Sequence, residues 1–577
     1  MMRVPVARNK LRAGRDVANW QPDVIVVGSG VGGSMAAYAL GRAGVKVMVY
    51  EAGRHYDPEN ETPMLNWDRE APLRAVGTPD KPFGFYDATV DGGWQVPGEP
   101  YTVAEGSDFR WWRSRMLGGR TNHWARHVPR FGPLDFKPYS RDGHGFDWPI
   151  GYNDLKPWYD RSERLMGVIG ENIDLPNVPD SHVRQPPPVA RVPELLLKAV
   201  CDEKGIPCIA PPRAVITRPI DGRQACFYAS PCDRGCSIKA NFQAVTVLLP
   251  PALKTGKVRV TTDAMVAEVL LNKAGKANGI RYVDKKTGQW KEARAKTVVL
   301  AASTCETARI LLNSKSSAFP NGLANSSGQV GRNLTDTVGV GIGAHVPALE
   351  GRPKYNEDGV SFGHLYVPWW LDDKQKEIGF PRGYHVELWG DWGKHPGMGI
   401  GWNSLWYDGF GRGLRKHMVD SYATTIGMAG RGEMIPNQDC FVDLDPAAKD
   451  RYGIPVLRFH WKWGEPELAQ AEHMRKTMLE IFDRMGAKLN DPTVREGPAK
   501  ISVGGEMIHE AGTARMGSSP KDSVVDSFGR AWDVPGLWLM DGSILPSNPD
   551  KNPTLSIMAL AWRGSVELLK RSKVGKA

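Results

Sequence analysis

Three groups of residues in the 577-residue chain have types and spacings that chemistry can use. The first is Gly28-x-Gly30-x-x-Gly33, followed by an acid, Glu51. In such a series the first glycine permits a tight turn, and the second lets backbone approach a pyrophosphate. The third lets a helix pack closely on a sheet, and the acid accepts hydrogen bonds from an adenosine ribose. The second group is Cys226, Cys232 and Cys236, spaced C-x5-C-x3-C on a loop with Pro231 and Gly235. Three readings compete for it: a structural zinc, which would want a fourth ligand and Cys-x2-Cys spacing; unconnected buried thiols; and a thiolate-held iron–sulfur cluster. The third group is His509, within Ile508–Gly517, and Asn552-Pro553-Thr554 further on. Alone, His509 reads as a polar turn residue. An imidazole with its ordinary pKa of about 6.5 is nonetheless the natural base for an alcohol proton at ambient pH.

These residues need elements to hold them. Val24–Val27 is a continuous β-branched run, as in a strand buried on both faces. Met35, Ala36, Ala39, Leu40 and Ala43 recur at helical spacing, Gly44 stops the helix, and Val45–Tyr50 reads as a second strand ending on Glu51. This strand–turn–helix–strand order predicts dinucleotide binding without choosing FAD over NAD. A Gly118-Gly119 turn precedes the polar cluster Thr121, Asn122, His123. Tyr152–Gly167 reads as a helix. Val258–Val269, Gly279–Val283 and Thr297–Ala302 read as strands, and Ser303–Ser314 as the helix after them. Residues 340–465 look sheet-rich and carry Trp369, Trp370, Trp389, Trp392, Trp402 and Trp406. Most of these are expected in the core, one or two against substrate. Pro466–Asn490 reads as an amphipathic helix whose stripe (Leu468, Met474, Met478, Ile481, Phe482, Met485) is core.

Composition narrows the classes. A hydrophobic content of 41% is ordinary for a globular protein. The net charge of +10 is spread thinly and never becomes a long basic run, so nucleic-acid binding is not indicated. No apolar run has the length of a membrane span. Arg3, Arg8, Lys10, Arg12 and Arg15 precede no apolar region or cleavage site, so no signal peptide is expected here. Seven cysteines, few and odd in number, argue against a disulfide framework.

With the opening unit, Gly118-Gly119 and Asn122 in view, the chain resembles the glucose–methanol–choline (GMC) family of FAD oxidoreductases over about residues 20–570. His123-Trp124 resembles a pair in its sugar-oxidising members, and Gly331-Arg332-Asn333-Leu334-x-Asp336 resembles another family motif. The family's usual histidine after that motif is Thr337 here, which weakens any role for the position. His509–Gly517, Asp541-Gly542-Ser543 and Asn552-Pro553-Thr554 match three more family motifs. The resemblance implies an α/β fold with a GMC-type FAD-binding Rossmann-like domain (20–160, 237–340 and 500–577). It also implies a linker or cap (161–236) and a sheet-rich α+β substrate domain (341–499). It assigns His509 as catalytic base and Asn552 as its partner. It places Gly28, Gly30, Gly33, Glu51, Gly118, Gly119, Asn122, Asp541 and Thr554 around FAD, with His123 a flavin neighbour or its covalent tether. Glu510, Arg515 and Cys305 are expected to be structural.

Large subunits of bacterial FAD-dependent sugar dehydrogenases bind a [3Fe–4S] cluster at the C-x5-C-x3-C spacing, which implies that role for Cys226, Cys232 and Cys236. The resemblance then implies oxidation of a secondary sugar hydroxyl, leaning to C3 of a glucoside or disaccharide, by hydride transfer to flavin N5. Electrons would leave through the cluster to a cytochrome c-type acceptor. A small signal-bearing subunit would carry the chain to the periplasm. The alternatives are an oxygen-using sugar oxidase or a gluconate, glucose or fructose dehydrogenase large subunit. A non-catalytic flavoprotein scaffold conflicts with the His509/Asn552 pair.

Overall fold

The structure, a computed structural model, describes residues 20–58, 92–227, 236, 238–352, 363–391, 410–421 and 424–573. Its centre is a five-stranded parallel sheet in the order Leu537–Leu539, Thr297–Leu300, Val24–Val27, Val47–Tyr50, Val258–Thr261. Val24–Val27 is buried along its whole length, as a strand covered on both faces must be. Its neighbours come from distant parts of the chain on one side and from the next strand on the other. The strand order therefore reverses beside it, where open α/β sheets bind ligands at their carboxyl ends. Helix Val31–Arg42 covers one face and packs on the last helix, Thr554–Lys573, which also meets helix Tyr152–Met166. Gly167, at φ 76°, ends that third helix in the left-handed conformation glycine favours.

A second, antiparallel sheet runs Tyr366–Val367, Tyr384–Asp391, Thr425–Gly432, Val338–His345, Lys488–Leu489. Val386 and Leu388 bury one face beside helix Val192–Glu203, and Met428 buries it under helix Glu465–Arg484, where Met474 and Met478 are fully buried. Gly430 and Gly432 let that helix lie close, since a Cβ on either would strike Met474 or Gln470. His385, Glu387 and Arg431 alternate onto the opposite face, the period-2 pattern of a strand. Two three-stranded sheets and a two-stranded one, Gly92–Gly93 with Arg113–Ser114, complete the sheets among the described residues. Of the three-stranded sheets, one is the meander Ala264–Leu271, Ala277–Asp284, Gln289–Arg294; the other pairs Phe441–Lys449 and Pro455–His460 with Thr102–Val103.

Several boundaries differ from the sequence reading. The run 258–269 is two strands, Val258–Thr261 in the central sheet and Ala264–Leu271 in the meander, with Asp263 at φ 58° between them. The helix expected over Pro466–Asn490 ends at Arg484, because Gly486 (φ 63°) turns the chain into the edge strand Lys488–Leu489. Leu468, counted in its stripe, is 43% exposed. Trp369 is a core residue against Tyr384, ring centroids 4.9 Å apart. Trp392, Trp402 and Trp406 lie outside the described residues.

Candidate active site

The turn after Val24–Val27 is shaped to its three glycines. Gly28 sits at φ 94°, and a Cβ there would lie 2.3 Å from the Ala301 carbonyl oxygen. A Cβ on Gly33 would lie 2.0 Å from the Gly28 carbonyl oxygen, so only glycine lets the helix start this close to the strand. Gly30 is different: no described atom lies within 4 Å of where its Cβ would be. This is a cradle open at the one position where backbone must face a phosphate, at the N-terminus of helix Val31–Arg42. Glu51 is buried and accepts from Ser29 N–H (3.0 Å), Ser29 Oγ (2.6 Å) and Gly53 N–H (2.7 Å). Oε1, with one of these bonds, keeps acceptor capacity for a ribose hydroxyl.

The second glycine turn packs on the first. Gly118 N–H donates to Ser29 Oγ (2.8 Å), and Gly119 faces Gly30 with 3.7 Å between its Cβ position and the Gly30 Cα. Both glycines have positive φ, 89° and 53°. Asn122 closes this turn: its Nδ2 donates to Leu117 O (2.9 Å), and its Oδ1 accepts from Gln243 Nε2 at 3.4 Å. His123 is buried with Nε2 on Ser114 Oγ, and burial pushes its pKa down to about 3. Asp541 accepts from Ser303 N–H (3.2 Å), Thr307 Oγ1 (2.6 Å) and Ser543 N–H (2.9 Å), fixing the start of helix Thr304–Asn313 beside the cradle. Thr554 opens the last helix. The residues expected around a dinucleotide thus converge on the carboxyl ends of the central strands, and their open cradle fits FAD.

His509 and Asn552 come together across 43 residues, with Nε2 and Nδ2 3.3 Å apart. The loop bearing His509 is tied on every side. Its N–H donates to Asp336 Oδ1 (2.9 Å), its carbonyl accepts from Asn548 Nδ2 (3.0 Å), and Thr335 and Ala511 exchange backbone bonds. Gly512, at φ 83°, is forced by the Asn333 carbonyl oxygen 2.1 Å from its Cβ position. Ile508, β-branched, stands at φ 61° immediately before the imidazole. Strain of that kind is held only where surrounding bonds over-determine the backbone. Glu510, buried, and Arg120, half-buried, form an ion pair, with Arg120 NH2 on Oε1 at 2.9 Å. Arg120 also donates to Trp112 O (2.6 Å) and Ile508 O (3.1 Å), joining the glycine turn to the histidine loop. Arg515 lies over the Phe146 ring at 3.8 Å, and Cys305 is buried in its helix.

Burial, reinforced by Arg431, pushes the His509 pKa down to about 3, so the ring is neutral at physiological pH. Thr337 Oγ1 lies 3.0 Å from Nδ1, and Asn548 Nδ2 donates to the same oxygen at 3.3 Å. The position that departs from the family motif is therefore a direct partner of the imidazole, contrary to the sequence reading. In the tautomer whose Nδ1–H donates to Thr337, Nε2 carries the lone pair on the side of Asn552.

Sequence reasoning missed four further residues here. Glu387 Oε1 lies 3.3 Å from Asn552 Nδ2, 3.5 Å from His385 Nε2 and 3.8 Å from His127 Nδ1. Its Oε2 lies 3.5 Å from Arg431 Nε. Beside them Gly341 leaves the sheet face open, with no described atom within 4 Å of its Cβ position. The available signal was the alternation His385-Val386-Glu387-Leu388, polar residues at every second position of an otherwise apolar strand.

Of the three cysteines, Cys226 and Cys236 share one small apolar cluster with Ile216 and Ala240; Cys232 lies outside the described residues. Cys236 N–H donates to Gln243 Oε1 (3.1 Å), the residue whose Nε2 reaches Asn122. No helix among the described residues is long and apolar enough to cross a membrane.

A dinucleotide cradle with an imidazole–carboxamide pair at the rim of the same sheet defines a cofactor-dependent oxidoreductase. The chain belongs to the GMC oxidoreductases: that family's N-terminal model matches residues 23–338 and its C-terminal model residues 436–561. The family binds FAD and acts on alcohol groups. The chain is 33% identical over 562 residues to a 2-methyl-1,2-propanediol dehydrogenase of Mycolicibacterium austroafricanum, covering 96% of each. It is 27% identical over 577 residues to a fructose dehydrogenase large subunit of Gluconobacter japonicus, covering 96% of this chain and 98% of that one. The fold also matches the crystal structure of pyridoxine 4-oxidase from Mesorbium loti, with TM-score 0.59, 16% identity and coverage of 95% and 99%.

Proposed function

We propose that the protein is a FAD-dependent dehydrogenase that oxidises a secondary hydroxyl of a sugar, with C3 of a glucoside or disaccharide the favoured position. The observation that carries this reading is the His509–Asn552 pair, 3.3 Å apart beside a polar sheet face. FAD, when bound, supplies the two-electron acceptor for the substrate's hydride. The chain's own residues do the rest. Neutral His509 takes the hydroxyl proton at Nε2, Asn552 Nδ2–H donates to the oxygen that becomes negative, and Thr337 keeps Nδ1 protonated meanwhile. His127, His385, Glu387 and Arg431 offer several donors and acceptors close together, which suits a polyol better than a simple alkanol. His123-Trp124 supports the C3 preference by its resemblance to sugar oxidisers.

Cys226, Cys232 and Cys236 are the proposed ligands of a [3Fe–4S] cluster that serves a cytochrome c-type acceptor. Shared packing of Cys226 and Cys236, and the Gln243 link towards Asn122, support the assignment. Similarity to a protein named as a large subunit supports a small partner subunit, with co-export to the periplasm as its corollary. The test is anaerobic titration of the purified, FAD-loaded protein with a glucoside, glucose, fructose, gluconate and 2-methyl-1,2-propanediol, together with iron analysis. Flavin bleaching by the glucoside at the lowest concentration, with iron bound, is expected. Bleaching by the diol alone, the reading the 33% identical relative favours, would overturn the sugar assignment. Stoichiometric peroxide without iron would select an oxidase.

A further inference from the structure

We propose that Glu387 is a positioning residue that fixes the carboxamide of Asn552 with its N–H face towards the reacting oxygen. The inference rests on the reading of His509 as base. Glu387 sits on strand Tyr384–Asp391 of the second sheet, between Tyr366–Val367 and Thr425–Gly432, with its side chain only 6% exposed. Its Oε1 and His509 Nε2 both lie 3.3 Å from the same atom, Asn552 Nδ2, whose two hydrogens serve one each; the one on Nε2 passes to the substrate oxygen when that oxygen enters and gives its own proton to Nε2. A carboxylate only accepts. Turning the carboxamide over would set Asn552 Oδ1 against Glu387, acceptor against acceptor, so the carboxylate selects one of the two orientations. Asn552 Oδ1, on the other side of the carboxamide, is buried and has no partner among the described residues.

The selected orientation matters because an alcohol losing its proton becomes an alkoxide. A donor beside it stabilises the negative oxygen, whereas an amide oxygen there would repel it. It also decides the tautomer of the base. Asn552 N–H at Nε2 and Thr337 Oγ1 at Nδ1 together favour Nδ1–H with the lone pair on Nε2. The surroundings keep Glu387 anionic. Burial alone would raise its pKa, but His127 and Arg431 outweigh burial and hold it well below the usual carboxylate range. Burial pushes His127 itself down to about 3, so at neutral pH the lasting positive charge beside Glu387 is Arg431. The other groups facing His509 are Arg431, His385 and Arg120, with Asp336 on its backbone N–H; among the side chains that act on its charge, Glu387 is the one that favours the imidazolium.

The experiment is anaerobic stopped-flow reduction of the FAD-loaded E387Q variant over a range of pH, with H509N and E387D alongside. E387Q is expected to lose about ten- to hundredfold in the limiting rate of flavin reduction, the worth of one hydrogen bond to a charged group. Half-saturation by substrate should change little. The acid limb of the rate profile should move to lower pH, because the charge favouring protonated His509 is gone; E387D should restore part of both. Wild-type rate and pH profile in E387Q, with H509N inactive, would overturn this proposal alone. Persistent reduction in H509N would instead remove the reading of His509 on which it rests. A second measurement needs no variant at position 387. In the 15N spectrum of histidine-labelled wild-type holoenzyme, assigned against H509N, His509 should carry its proton on Nδ1; a proton on Nε2 would overturn the proposal.

Discussion

Replacing Thr337 by valine keeps side-chain shape while deleting a single oxygen. That oxygen lies 3.0 Å from His509 Nδ1 and 3.3 Å from Asn548 Nδ2, and Thr337 is buried. In T337V the Nδ1–H of a neutral His509 faces a methyl group. A buried donor left without a partner costs about 1–3 kcal/mol. The ring can escape that cost by moving its proton to Nε2, where it no longer acts as a base. At about 1.4 kcal/mol per tenfold, the active tautomer, and with it the rate of flavin reduction, falls about five- to hundredfold. Thermodynamic stability should fall by a similar 1–3 kcal/mol, shared with Asn548. The assay is single-turnover bleaching of the bound flavin by saturating substrate without oxygen, with FAD content and denaturant unfolding measured on the same preparation. A T337V enzyme that is fully loaded, destabilised as stated, and bleached within twofold of the wild-type rate would refute the argument that Thr337 sets the tautomer.

Two further outcomes follow from the geometry. G30A should fold normally yet purify with little FAD, since its Cβ meets only the space where a pyrophosphate must come. G33A should fail to fold, since its Cβ would lie 2.0 Å from the Gly28 carbonyl oxygen; absorbance at the flavin band and circular dichroism separate the two. Burial, then the nearby Glu510, raises Asp336 from 3.8 to about 7. Below about pH 4 its carboxyl is protonated whether the chain is folded or not. Between about pH 4 and 7 the unfolded chain releases that proton while the folded one keeps it, so stability drains away with rising pH and is fully lost above 7. D336N should therefore gain stability relative to wild type between pH 5 and pH 8 in urea titrations, and a constant difference would contradict the assignment.

What the sequence disclosed follows how local each constraint is. Gly28, Gly30 and Gly33 are legible because their spacing lies within six residues of one strand–turn–helix unit, although the Ala301 carbonyl that holds Gly28 to glycine comes from a distant strand end and Gly30 meets no described atom at all. His509 and Asn552 were legible through motif resemblance, and the fold then set them 3.3 Å apart. Glu387, Arg431 and His127 were not, because each reaches Asn552 or its neighbours only through sheet register and packing between segments hundreds of residues apart. Thr337 was misjudged for a related reason. A departure from a family pattern looks like a lost role until the oxygen is seen to meet the imidazole that the pattern serves. Leu468 shows the converse limit: helical periodicity placed it on the buried face, but in the first turn the buried position is taken by Glu467, whose carboxylate caps Gly464 N–H and accepts from Ile435 N–H, and Leu468 beside it faces solvent.

The decisive measurement is the rate at which saturating substrate bleaches the FAD-loaded H509N variant in the absence of oxygen, beside wild type. Asparagine keeps a polar group of similar reach and cannot take the proton, so the rate should drop about a hundred- to ten-thousandfold while FAD content stays the same. Bleaching at the wild-type rate would mean that some other group removes the hydroxyl proton.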